Sequence, residues 1–221
     1  MVKISANFFR AEIDWAFDEL ATYARIMEDQ IERLANADRL RLERTSFRDE
    51  AEEQLEGDEY RRTFKTVLPR TLRYSCVVSL LGVIEASLRK ICEKIYEYNE
   101  LPVKPRKHEE MKRKNRKDQS FLDIRLSYIQ NVAKIRIPPH SFSASLDDLK
   151  KVRDQLVHAE GRAEGRNGLD RLAKIVSGLK GFTVMYEYIE IEKGTCESLS
   201  RQAGDWMGHL MNACGSPYGK A

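Results

Sequence analysis

The sequence predicts an all-α fold: a helical bundle opened by one long N-terminal helix, with room for a single short β-hairpin or strand. Three observations predict it. Apolar residues recur at alternating steps of three and four over much of the chain, the spacing that gathers them on one face of a 3.6-residue helix. Helix breakers are sparse in the first hundred residues, where Gly57, Pro69 and Gly82 stand alone. Only one stretch, "GFTVMYEYIEIEKG", alternates as a half-buried strand does. At 221 residues, with 42% hydrophobic and 33% charged residues, the chain has the size and profile of one globular domain with or without an appended element, and not those of a disordered chain.

The first helix is expected to carry Phe9, Ile13, Ala16, Leu20, Tyr23, Met27, Ile31 and Leu34 on its inner stripe. Its stripe fades after Leu42. A second helix is expected over "EYRRTFKTV", and residues 1–65 together read as an N-terminal helical extension packing on a bundle of residues 66–221. The third helix is the most apolar, with Val77, Leu81, Ile84, Leu88, Ile91 and Ile95 in a seven-residue repeat and Pro69 near its start. Gly82 inside it costs about 1 kcal/mol relative to alanine, which a close helix contact, within the chain or across a dimer, would explain. Residues 102–118 read as a proline-marked connector, followed by a helix from Ser120 to Ala133. Ser145 is expected to cap the next helix, with Asp147 and Asp148 in its first turn. "LDRLAKIVSGL" and Cys196 to Ala213 complete the helices, and the last residues form a tail.

The formal net charge is only +3, but it is unevenly placed. Asp49 to Glu59 holds seven acids and no base, whereas Lys104 to Asp118 holds eight Lys or Arg against three acids. The second segment is a candidate phosphate-binding zone. Cys76, Cys92, Cys196 and Cys214 show no CxxC or Cys/His ligand spacing, so free thiols are expected and neither a metal nor a cofactor is assigned. The longest greasy stretch, "CVVSLLGVIEASL", is too short for a bilayer and contains Glu85, and the N-terminus lacks a secretory pattern. The expectation is a cytoplasmic protein with no membrane partner.

"KKVRDQLVHAEGR" carries the most informative chemistry. At about 100° per residue, Leu146, Leu149, Val152, Leu156 and Val157 cover one arc of the motif helix, and Arg153 falls inside it. A guanidinium on an apolar face requires a partner or an opening, because an unpaired buried charge is expensive. Asp154 lies four residues before His158 and shares its face, where a carboxylate can hold an imidazole by one ring nitrogen. His158 projects about 140° from Arg153 on a regular helix, so the two converge only if the helix ends or distorts. The Arg-to-His spacing alone carries little. The capped helix, the arginine on the wrong face and the acid beside it give it weight. His108, His140 and His209 read as surface or structural residues.

This combination resembles the HEPN superfamily, whose ribonuclease members carry Arg, a polar residue and His at R-x(4–6)-H spacing, matched here by Arg153, Asp154 and His158 in "RDQLVH". The likeness covers roughly residues 66 to 213, with "VVSLLGVIEASLRKICEKI" similar to the family's long helix and its embedded acid, here Glu85. Asp154 stands where many members have asparagine, and Glu160 where some toxin members have a modified tyrosine. The resemblance implies metal-independent RNA cleavage by a toxin or antiviral effector, with paired motifs in a homodimer cleft and a neutralising partner protein. It implies that His158 moves protons, Arg153 faces the phosphate, Asp154 orients His158 and Glu85 supports them. Lys104, Arg106, Lys107, Lys112, Arg113, Lys114, Arg116 and Lys117 are then candidate RNA contacts. The alternative is a non-catalytic helical module that binds RNA or a partner protein.

Overall fold

The computed structural model describes residues 5–99, 101–115 and 119–214. The chain is predominantly helical: α1 (Ser5–Arg44), α2 (Glu50–Tyr60), α3 (Leu68–Asn99), α4 (Pro105–Asn115), α5 (Phe121–Ser127), α6 (Ser141–Ala159), α7 (Gly165–Val176) and α8 (Thr195–Cys214). A two-stranded antiparallel hairpin, β1 (Phe182–Met185) and β2 (Tyr188–Ile191), sits between α7 and α8, as the alternating stretch predicts. Phe182 pairs with Ile191 and Val184 with Ile189, which gathers the apolar positions on one side. No described helix is long and apolar enough to cross a membrane.

The chain divides into two compact units, each assembled from segments distant in sequence. The first takes the described residues up to Asp18, Leu80–Ala144 and those from Ser200 on; the second takes Glu19–Ser79 and Ser145–Leu199. Residues 1–65 therefore contribute to both.

In the first unit, Leu80, Ile84, Leu88, Ile91, Leu122, Ile124, Tyr128, Phe142 and Trp206 are buried together. The expected connector is in fact largely helix α4. It forms a helix because its inner side has something to dock on: Arg125 donates from Nε to Glu109 (2.9 Å) and from Nη1 to the Glu85 carbonyl oxygen (2.7 Å). His108 is buried, its ring edge-on to Tyr128 at 5.5 Å. Pro105 occupies the first helical position, where its missing N–H costs nothing. Ser120 caps α5, accepting from the Asp123 N–H.

In the second unit, α2 does not give way to a separate helix over 59–67. A π-helical turn over Arg61–Val67 runs on into α3, and the Leu68 N–H reaches back to the Thr63 carbonyl. Pro69, one residue further, has no N–H to offer and its ring crowds the preceding turn, so the wider register is a physical accommodation. The core of this unit holds Leu149, Val152, Leu156, Leu172, Ile175, Val176, Ile189 and Ile191.

Three further expectations are corrected. The buried track of α1 is Ile13, Phe17, Ala21, Ala24, Glu28 and Ala35, while Tyr23 and Leu34 are exposed. Small alanines and a paired glutamate sit inside in place of the larger residues, so residue size misidentifies the inner face. Helix α6 starts at Ser141, a turn before Ser145, because His140 caps it: its Nδ1 accepts from the Phe142 N–H at 3.2 Å. Gly82 is exposed, and a Cβ there would meet nothing within 4 Å, so no close contact among the described residues explains it.

Candidate functional site

Helix α6 presents Phe142, Leu146, Leu149, Val152 and Leu156 to the interior. Arg153 stands beside this track with its side chain 26% exposed, as the helical projection predicts. Val157, expected on the same arc, is 54% exposed, since it lies at the arc's edge in the last turn. The Arg153 guanidinium donates from Nε and Nη2 to one oxygen of Asp154, at 3.0 and 2.9 Å. Asp154 is thus engaged with its neighbour, and among the described residues no hydrogen bond joins it to His158. His158 is exposed in the final turn. The helix stays regular to Ala159, so Arg153 and His158 keep their separation of about 140° within one chain.

The helix ends through left-handed residues. Glu160 has φ 51° and Gly161 φ 72°, the usual way to stop a helix and turn the chain. Gly161 is required twice over, because a Cβ there would lie 2.4 Å from the Tyr74 hydroxyl oxygen. Tyr74 in turn donates to the Ile189 carbonyl of β2, and burial pushes its phenol pKa up. Two backbone bonds tie the same loop to the hairpin: Ala163 N–H to the Glu187 carbonyl (2.7 Å) and Ile189 N–H to the Gly161 carbonyl (2.9 Å). Gln155 closes the turn from the helix side, donating to the Arg162 carbonyl at 2.7 Å.

This arrangement gathers cations around one aromatic ring. Arg70 lies 4.2 Å from the Tyr188 ring centroid and pairs with Glu190. Arg162 lies 5.9 Å from the same centroid and pairs with Glu187 at 3.2 Å. The sequence reasoning missed Arg70, Tyr74, Arg162 and Tyr188. Only the alternation of the hairpin pointed to this neighbourhood, and it does not say which arginines meet a tyrosine.

The remaining candidates belong to the first unit. Lys104, Arg106, Lys107, Arg113 and Lys114 are exposed, on or just before α4, and Lys112 is half-buried. Arg113 also stacks on Phe121 at 4.7 Å. Arg116 and Lys117 lie outside the described residues. Glu85 is half-buried on α3 with its carbonyl oxygen taken by Arg125. The cysteines are free thiols, and Cys76, Cys92 and Cys196 are buried. Among the described residues, no group of three or more His, Cys, Asp or Glu side chains is placed to hold a metal ion.

No family model, curated protein or solved structure matches this chain.

Proposed function

We propose that the chain is a metal-independent endoribonuclease of the HEPN type, a toxin or antiviral effector that works as a homodimer. The observation that carries this reading is Arg153: a guanidinium beside the buried track of α6, a quarter of it still open and steadied by Asp154, with the exposed imidazole of His158 one turn on. Within one chain the two groups point apart, so a second copy is needed to bring two motifs to one cleft.

In that cleft the RNA 2′-hydroxyl attacks the adjacent phosphorus and the bond to the 5′-oxygen breaks, leaving a 2′,3′-cyclic phosphate and a 5′-hydroxyl. One His158 accepts the proton from the 2′-hydroxyl, and the partner copy's imidazole gives one to the leaving oxygen. Arg153 faces the equatorial oxygens, where a bidentate donor gains most as charge builds. Asp154 holds the guanidinium in place. The exposed cations of α4 bind phosphates without reading sequence. A neutralising partner protein would keep such an activity in check.

A second reading is favoured by one observation. Asp154 is bound to Arg153, and among the described residues His158 has no carboxylate partner of the kind that fixes a catalytic tautomer. On that reading the chain is a non-catalytic module that binds RNA or a protein. The two separate in one experiment: purified wild type, Arg153→Ala and His158→Ala are incubated with RNA in excess chelator. Cutting by wild type with cyclic phosphate ends, and a loss of about 100-fold or more in both variants, supports the enzyme. Equal cutting by all three ends the ribonuclease proposal, and binding without cutting by all three selects the module.

A further inference from the structure

Tyr186 and Glu187 are the two central residues of the turn that joins β1 to β2, and both have positive φ, 48° and 70°. This is type I′ geometry, which Asn-Gly or Gly-Gly normally fills. A tyrosine in that region stores strain, and strain of this kind gathers at functional positions. The ring gains nothing from the fold in exchange: it is 85% exposed, and among the described residues it makes no hydrogen bond or ring contact.

Its position ties it to the motif helix within the second unit. The Glu187 carbonyl accepts from Ala163 and the Gly161 carbonyl from Ile189, so the turn is pinned to the loop that closes α6. Gly161 is three residues past His158, no more than about 11 Å along the chain. Met185 beside the turn is half exposed, and Arg70 and Arg162 flank Tyr188 on the following strand. Their charges are met by Glu190 and Glu187, so this corner attracts a ligand by its flat apolar surface more than by net charge. The Arg162–Glu187 pair is solvent-exposed and gives way to a phosphate at little cost.

We infer that Tyr186 is a stacking platform for an unpaired base of single-stranded RNA, holding the strand beside His158. The identity of the strand rests on the ribonuclease reading above. Stacking on an exposed ring is available to any base but not to one inside a duplex, so the site selects unpaired RNA without selecting sequence.

The test measures fluorescence anisotropy of a labelled single-stranded oligoribonucleotide and of a fully paired duplex. The full chain is used in the His158→Ala background, so that neither probe is cut. Tyr186→Ala and Tyr186→Asn should weaken single-strand binding roughly tenfold, Tyr186→Phe should keep it, and duplex binding should not move. The loss should be the same at low and high salt, since stacking and not phosphate contact is removed. Tyr186→Asn should also raise the melting temperature, because asparagine tolerates the left-handed turn. A variant that is more stable yet binds less separates lost recognition from lost folding. Unchanged affinity in Tyr186→Ala, or equal loss in Tyr186→Phe, overturns the proposal; unchanged affinity would leave the ring to a protein partner. No binding of the single strand by any form overturns it too. If His158→Ala cuts RNA as wild type does while Tyr186→Ala still weakens binding, the ribonuclease mechanism fails and the stacking site stands.

Discussion

Glu28 and Arg73 form a largely buried ion pair that ties α1 to α3 in the second unit. The Arg73 Nε lies 2.9 Å from Glu28 Oε1, and the side chains are 18% and 6% exposed. The other carboxylate oxygen accepts from the Gly194 N–H at 2.8 Å, and Arg73 Nη1 donates to the Ile191 carbonyl at 2.8 Å. One glutamate thus satisfies a helix and the end of the hairpin together.

Removing one partner leaves the other charge buried and unmatched. Glu28→Ala should therefore cost about 3–5 kcal/mol of unfolding free energy, measured by urea titration. Replacing both partners by methionine should cost much less, because no charge is stranded. A loss under about 1 kcal/mol in Glu28→Ala would show that the pair does not hold this unit together.

Gly161→Ala should destabilise by about 2–3 kcal/mol. Of that, about 1–2 kcal/mol comes from a left-handed non-glycine residue and about 1 kcal/mol from displacing the Tyr74 hydroxyl off Ile189. In a Tyr74→Ala background the same substitution should cost only the first part, because the hydroxyl and the ring carbons that crowd that Cβ are both gone. No cost in that background would mean that crowding, and not backbone conformation, selects glycine there.

The docking of α4 should weaken in mild acid. Burial pushes the His108 imidazole below its ordinary pKa, and nearby Lys112 adds to the shift while Glu109 opposes it. Its Nε2 is buried and has no hydrogen-bond partner among the described residues, so the neutral ring is the one that fits. A depressed histidine gives stability that is present above its ordinary pKa of about 6.5 and lost as the pH falls through the lower folded value. The protection of α4 amides, corrected for the intrinsic pH dependence of exchange, should therefore fall below about pH 6.5 in wild type and stay flat in His108→Phe. Equal pH dependence in both would assign the effect to another group.

The inner stripe of α3 and the hairpin were legible in the sequence because the pattern repeats there without interruption: Val77, Leu81, Ile84, Leu88, Ile91 and Ile95 are all buried, and Phe182 and Ile191 pair inward. So was the placing of Arg153 beside the buried track of α6, which follows from helical geometry alone. The stripe of α1 was misread, since Ala21, Ala24 and a paired Glu28 carry less apolar signal than the exposed Tyr23 and Leu34. Helix α4 was hidden because a run of cations looks like solvent-facing chain until Arg125 is seen to hold Glu109 from another helix.

The sequence by itself determined the helical class, the hairpin and the register of α6, because each depends on spacings between near neighbours along the chain. Tertiary structure alone decided which groups meet: Glu28 with Arg73, Gly161 over Tyr74, Arg70 and Arg162 about Tyr188, and Asp154 with Arg153 instead of His158. Most of these partners are tens of residues apart in sequence, and even Asp154 had two candidate partners on its own helix, Arg153 and His158. Local periodicity says which way a side chain faces, but only the packed chain fixes what it faces.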